Sequence, residues 1–340
     1  MKIADIAKEA GVSIGTVDRV LHNRGRVSKE TKAKIEKIIK DSGYKPNIIA
    51  SNLKKNKSIK IGILIPKLSS EGGYWDMIYN GINRAMAEIT QFPISTETRE
   101  FDRTIRGDYL EKGKELINEG IDVLAMAPVV QSEAYQVIAS LKDIPYAFFD
   151  SSLPEAHPIT ENLQNSYKAG WCAAKIMNVL NPDASKFVCL QMHSTAYNLQ
   201  QRAKGFTDYF ETKNVDIVNL VWDYKNKKEL FLAFFDSVIN ENPDAAGYFI
   251  PNDATSKIAY RLKEKLSDKM PTVIGFDLLE DNKKGLREGV ISVLISQQPE
   301  NQGYNTIREI FQSQLLNQHN TTQKESIPID IIIKENLPEG

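Results

Sequence analysis

The sequence of 340 residues predicts a mixed architecture. An all-α helix-turn-helix headpiece opens the chain, and an α/β body of two lobes follows, each lobe a parallel sheet flanked by helices. Three observations predict this. Apolar residues recur at helical spacing, with no strand-like run, until about residue 43. From residue 59 onward, short apolar runs of strand length alternate with amphipathic stretches of helix length. The charge divides along the same line. Residues 1–60 hold 15 lysines and arginines against 6 acids, a net of +9; of the chain's 43 basic and 44 acidic residues this leaves 28 and 38, a net of −10. A basic segment on an acidic body is what a polyanion-binding module joined to another domain would show, although a solvated charged face gives the same count.

The headpiece elements follow from local rules. Ile3, Ile6, Ala7 and Ala10 fall at i, i+3, i+4, i+7 and predict a short amphipathic helix. Gly11 stops it, as a position needing a left-handed backbone would. Ser13 is a good N-cap for a second helix carrying Val17, Val20 and Leu21 inward. A third helix begins at Ser28, turns Ile35, Ile38 and Ile39 to the core, and ends at Gly43. Two short helices around a glycine turn, braced by a third, form a helix-turn-helix, whose second helix enters the major groove of DNA.

These residues carry a family resemblance. The stretch Ile3-Ala4-Asp5-Ile6-Ala7-Lys8-Glu9-Ala10-Gly11-Val12-Ser13 is followed by Thr16-Val17, Arg19-Val20-Leu21-His22, Val27-Ser28, Thr31 and Gly43-Tyr44-Lys45-Pro46-Asn47. Together they resemble the headpiece of the LacI/GalR repressors, over its whole length. The resemblance implies a headpiece at 1–46 and a hinge helix or linker at 47–58. It also implies DNA contacts by Ser13, Ile14, Gly15, Thr16, Arg19, His22 and Arg26, and by Asn47, Ala50 and Leu53 of the hinge. Ser13 and Thr16 would hold phosphates. Arg19 would reach a base edge, where its fork suits guanine O6 and N7. Leu53 would wedge into the minor groove and kink the duplex; simple packing within the hinge helix is the alternative. Ile14 and Gly15 depart from better-known members, because neither can hydrogen-bond a base through its side chain. Asp18 stands where a small hydroxyl residue is usual.

In the body, strand-like runs fall at 59–65, 121–127, 145–149, 187–191, 217–221, 245–250, 272–276 and 291–296. Helical stretches fall at 79–89, 106–119, 133–141, 167–180, 200–210, 227–240, 255–265 and 302–315. So many strands exceed one small sheet, and ligands of such sheets sit at the carboxyl ends of strands. This region, 59–340, is similar to the type 1 periplasmic-binding-protein fold that completes the same family. The resemblance implies crossings between lobes near Leu163, Val290 and Ile327. One lobe would comprise 59–162 plus 291–326, and the other 163–290 plus 327–340.

The resemblance also implies effector contacts by Asp150, Asn198, Arg202, Asn252, Asp277 and Gln298, with Tyr74, Trp75 and Trp222 as aromatic covers for a ring. That set suits a polyol: aspartates accept hydroxyl protons, arginine donates, and asparagine does both. Plainer roles stay open, with Asp150 and Asp277 as caps, Arg202 paired to a neighbouring acid, and Trp222 in the core. Tyr74-Trp75 is expected in a loop after the first strand. Gln164-Asn165 stands where the family often has Asp-Asn.

The expected partners are therefore double-stranded operator DNA, a small-molecule effector of carbohydrate type, and a second copy in a homodimer. A shift in the angle between the lobes would couple the effector to DNA affinity. A stand-alone sugar-binding receptor without DNA function is the alternative. His22, His157, His193 and His319 fall in no nucleophile or metal-ligand spacing, so no enzyme, metal or cofactor is expected. Cys172 and Cys189 suggest no disulfide framework. Apolar runs stay far below the ~20 residues of a membrane span. With no apolar leader core at the N-terminus, a cytoplasmic protein is expected.

Overall fold

The computed structural model describes residues 3–21, 25, 27–42, 58–70, 73–193, 196–222, 230–266, 269–316 and 327–338. The chain divides into two compact units, Met1–Lys57 and Ser58–Gly340.

The first unit contains α1 (Ile3–Ala10), α2 (Ile14–Leu21) and α3 (Lys29–Ser42). Their core is Ile6, Ala7, Ala10, Val17, Val20 and Ile35, with Ile38 and Ile39 half-buried against it. Gly11 turns the chain at φ 71°, a conformation a Cβ would disfavour. Ser13 caps α2 by accepting from the Thr16 N–H at 3.2 Å. Ser28 caps α3 through Thr31 at the same distance. Each cap satisfies an N–H that the helix cannot pair itself.

In the second unit the first lobe runs β1 (Ile59–Pro66), α4 (Tyr74–Glu88), β2 (Ile94–Phe101), α5 (Asp108–Asn118), β3 (Val123–Met126), α6 (Gln131–Leu141), β4 (Tyr146–Phe149) and β5 (Thr160–Asn162). The strands form a parallel sheet of order β2-β1-β3-β4-β5. The second lobe adds α7 (Ser166–Leu180), β6 (Lys186–Met192), α8 (Tyr197–Phe210), β7 (Asp216–Trp222), α9 (Phe231–Glu241), β8 (Gly247–Ile250), α10 (Thr255–Leu266), β9 (Thr272–Phe276), α11 (Glu280–Arg287) and β10 (Val293–Ser296). Then α12 (Pro299–Leu315) returns to the first lobe, and β11 (Asp330–Ile332) closes the second sheet, of order β11-β10-β9-β8-β6-β7. Only β11 is antiparallel. Both sheets reverse their strand order beside an early strand, β1 in one and β6 in the other. Such points open a crevice at the strand carboxyl ends.

Several expectations need correction. The second crossing does not lie at Val290: β10 pairs with β9, so residues 291–296 belong to the second sheet and the chain crosses after Ser296. The first and third crossings run side by side, joined by a bridge between Gln164 and Ile327. Strand β2 escaped prediction because Ile-Ser-Thr-Glu-Thr-Arg-Glu-Phe is polar and half-exposed at a sheet edge. Strand β5 is too short to show a period, and α11 is mostly charged. Tyr74 and Trp75 open helix α4 rather than sitting in a loop.

Two close helix crossings position the elements that matter below. A Cβ at Gly81 or Gly303 would overlap backbone of the partner helix where α4 meets α12. The same holds for Gly170 and Gly205 where α7 meets α8.

Candidate functional sites: a reading helix and an interlobe cleft

On α2, Ile14, Gly15 and Arg19 are exposed, while Val17 and Val20 are buried. Ser13, Thr16 and Arg19 follow one another at steps of three along one side of the helix, so they can approach the same surface. Ser13 Oγ and Thr16 Oγ1 lie 3.0 Å apart. Ile14 is 51% exposed, an unusual position for a large aliphatic chain, and a Cβ on Gly15 would meet only Ser13 Oγ, at 3.8 Å. His22, Arg26, Asn47, Ala50 and Leu53 lie outside the described residues.

In the body, strand ends of both sheets meet around a half-open cavity of about 30 Å³. Asp150 follows β4, His193 follows β6 and Asp277 follows β9, all in left-handed backbone at φ 66°, 61° and 68°. That conformation carries local strain in non-glycine residues and concentrates at working sites. Tyr74 donates to Asp150 Oδ1 at 2.7 Å. Asn198, from the second lobe, donates to Asp150 Oδ2 at 3.1 Å, and its backbone N–H donates to Ser151 Oγ at 3.3 Å. These two bonds cross directly between the lobes.

Arg202 is fully buried. Its two terminal nitrogens donate to the Pro251 carbonyl at 2.8 Å and to Gln297 Oε1 at 2.7 Å. Its plane lies 3.8 Å from the centre of the Phe276 ring, a favourable cation–π arrangement. Gln297 Nε2 donates to Asp277 Oδ1 at 2.9 Å. Burial lowers the Arg202 pKa from its usual value, against the raising fields of Asp277 and Asp150. Burial, then Asp150 and Asp277, hold the Tyr74 hydroxyl far above the usual phenol range. Both residues keep the protonated form that hydrogen-bond donation requires.

Three buried polar atoms at the cavity have no hydrogen-bond partner among the described residues: Trp75 Nε1, Arg202 Nε and Asn252 Oδ1. Unmatched buried donors and acceptors are costly, and a ligand with hydroxyl or carbonyl oxygens would satisfy them.

The cavity brings together Tyr74, Trp75, Asp150, Asn198, Arg202, Asn252 and Asp277. Two candidates are elsewhere. Trp222 packs on Phe231 and Phe234 in the apolar cluster of the second lobe. Gln298 faces Asp330 and Asn301. The lining also contains Asp253 beside Asn252, and Arg103, His193 and Gln297, the last three missed by sequence reasoning. Arg103 follows the unrecognised strand β2, so no strand end pointed to it. His193 and Gln297 each sit directly after a recognised strand and were findable by the rule that found Asp277. Among the described residues no cluster of three His, Cys, Asp or Glu is placed to hold a metal, and no helix is long and apolar enough to cross a membrane.

Residues 61–314 match the periplasmic binding protein domain family, and residues 2–47 match the lacI family of bacterial regulatory proteins. The chain belongs to the periplasmic binding protein domain family through its body, and its headpiece is a lacI-family domain. A regulator named RegA from Clostridium acetobutylicum is 36% identical over 140 residues, which span 41% of this chain and 40% of that protein. The match therefore covers about two fifths of the length of this relative. The ribose operon repressor of Lactococcus lactis is 26% identical over 285 residues, or 81% of this chain and 80% of the repressor. A solved structure described as a putative LacI transcriptional regulator from Bacteroides fragilis superposes with a TM-score of 0.75 at 27% identity, covering 82% of this chain and 98% of that one.

Proposed function

We propose that this protein is a ligand-responsive, DNA-binding transcriptional regulator whose operator affinity is set by a small neutral polyol, such as a sugar, held between the two lobes. The observation that carries the ligand half is the cavity itself. Carboxylates, two asparagines and two guanidinium groups from both lobes converge with Tyr74 and Trp75 at strand ends. The Arg202 fork is already engaged by Pro251 and Gln297, which disfavours a bidentate carboxylate or phosphate there. Aspartates beside it suit hydroxyl donors. The cavity is narrow, and the Asn198–Asp150 contact joins the lobes beside it, so an occupant that shifts this contact changes how the lobes are held. That change is the coupling: a ligand preferring one lobe angle shifts the population toward it, typically by ~1–3 kcal/mol in such systems.

For the DNA half, family membership and the exposed face of α2 support paired headpieces of a homodimer on a near-palindromic site. Ser13 and Thr16 would contact phosphates, Arg19 a base edge, and Ile14 a thymine methyl. Leu53, in the hinge segment, would act as the wedge. A cytoplasmic location and a regulatory rather than catalytic role follow from this reading.

Thermal-shift screening of the full chain against sugars, sugar phosphates and nucleobases tests the proposal. A neutral sugar is expected to raise the melting midpoint with concentration and to change retention of operator DNA in a gel shift. Stabilisation by nucleobases alone would overturn the ligand class. DNA binding indifferent to salt and to sequence would overturn the regulatory role.

A further inference from the structure

Gln302 lies in α12, in the first lobe, and is completely buried. Its side-chain oxygen accepts the backbone N–H of Asp150 at 2.8 Å. Its side-chain nitrogen donates to the backbone carbonyl of Gln297 at 2.8 Å. Gln297 is the first residue past β10, where the chain leaves the second sheet for α12. Gln297 in turn holds Arg202 and Asp277 through the two ends of its own amide. Two residues, Gln302 and Gln297, thus link the strand end bearing Asp150 in one lobe to the guanidinium and carboxylate of the other. The linkage passes through a crossing strand, not across the mouth of the cavity. The next residue, Gln298, is left-handed at φ 48° before Pro299 starts the helix, so the crossing has a fixed bend at this point.

A buried primary amide is worth keeping only when both ends are matched. A leucine there would bury similar area without the desolvation cost, but would leave the Asp150 N–H and the Gln297 carbonyl unmatched. We infer that Gln302 is a positioning residue which ties the Asp150 strand end to the interlobe crossing and so sets the angle between the lobes. It does not reach the occupant of the cavity. It transmits a shift at Asp150 to Gln297, and from there to Arg202 and Asp277, and the reverse. The inference rests on the proposed function only in taking the cavity as the effector site; the lobe angle can be measured without any effector.

The test uses the full chain in a Cys172→Ser background, with nitroxide labels on cysteines replacing exposed Lys114 of the first lobe and exposed Lys263 of the second. Pulsed dipolar spectroscopy then reads the interlobe distance distribution. The unsubstituted pair is expected to give one narrow distribution. Gln302→Leu is expected to widen it about twofold or add a second population, as a hinge freed of a constraint would. Gln302→Glu retains the acceptor for Asp150 but loses the donor to Gln297. It is expected to widen the distribution as well, and it serves if the leucine variant does not fold. Melting midpoints separate this role from a merely structural one, which would lower the midpoint and leave the distribution narrow. Narrow distributions in both variants overturn the inference. So does widening in Gln302→Leu alone, which would place the hold at Asp150 rather than at the crossing, and so does a wild-type distribution already as broad as the variants'.

Discussion

The reading helix and the interlobe cleft use polar residues in opposite ways. On α2 the functional candidates stand outside the core: Val17 and Val20 hold the helix in place while Ile14, Gly15 and Arg19 are exposed. In the cleft the functional candidates are themselves the interior. Asp150, Asn198, Arg202, Asn252 and Asp277 are all buried; Asn198 donates to Asp150 across the gap, Arg202 holds Pro251 and Gln297, Asn252 donates to Asp253, and Asp277 accepts from Gln297. A surface side chain can be exchanged without disturbing its neighbours. A buried one takes its partners' hydrogen bonds with it. The headpiece therefore separates function from stability, and the cleft joins them.

The largest effect that sharpens this contrast should come from Arg202→Ala. It removes a buried cation and leaves the Pro251 carbonyl and Gln297 Oε1 without their donor. A loss of about 3–5 kcal/mol is expected, as for breaking buried charged networks. Denaturant unfolding of the full chain measures it, and an unchanged body transition would break the contrast.

Arg19→Ala should do the reverse. Operator affinity is expected to fall by about 1–3 kcal/mol, with preference relaxed at one base position, while the melting midpoint stays where it was. Fluorescence anisotropy on operator and scrambled duplexes distinguishes this from a general loss of charge, which would weaken both equally.

A third effect is an alkaline pH dependence to which the cleft contributes through Tyr74. The Tyr74 phenol is raised above its ordinary value of 10.0 by burial and by Asp150 and Asp277. Its stabilising contribution is therefore complete below pH 10 and lost as pH climbs above it, where the unfolded chain ionises and the folded one does not. The slope is about 1.4 kcal/mol per pH unit for one such group. Tyr109 is raised by burial and Glu133 in the same sense and adds its own slope. Tyr74→Phe should flatten the alkaline stability curve by one group's worth; an unaltered slope would show that Tyr74 ionises freely when folded.

The smallest effect is expected from Ser13→Ala. Ser13 caps α2, so the headpiece should lose about 1 kcal/mol, read from its own unfolding transition. Loss of operator affinity well beyond that destabilisation would mean that Ser13 also contacts DNA.

Legibility from sequence followed the same division. The three headpiece helices could be placed almost to the residue, because Gly11, Ser13 and Ser28 punctuate them and their apolar spacing is local. Most body strands were equally plain, since Ile59–Pro66 and Thr272–Phe276 are apolar runs of strand length. Edge strand β2 was not, because its alternating polar residues face solvent and lack an apolar signature. That omission concealed Arg103. The error at Gln298 was a shift of one residue: left-handed backbone at Gln298 turns its side chain to Asp330, while Gln297 reaches the cavity. Trp222 has the composition of a sugar-facing aromatic, yet it packs on Phe231 and Phe234.

The sequence alone determined what depends on neighbours along the chain: helix period, caps, strand length, and the split between a basic headpiece and an acidic body. Tertiary structure decided what depends on residues distant in sequence. Asp150 meets Asn198 only because β4 and α8 end at the same gap. Gln302 meets Asp150 across 152 positions, on a helix α12 that crosses α4 closely, with Gly81 against the Glu300 backbone and Gly303 against that of Ile78. Such contacts are set by the packing of whole elements, and no local period or spacing encodes which two strand ends will share a cavity.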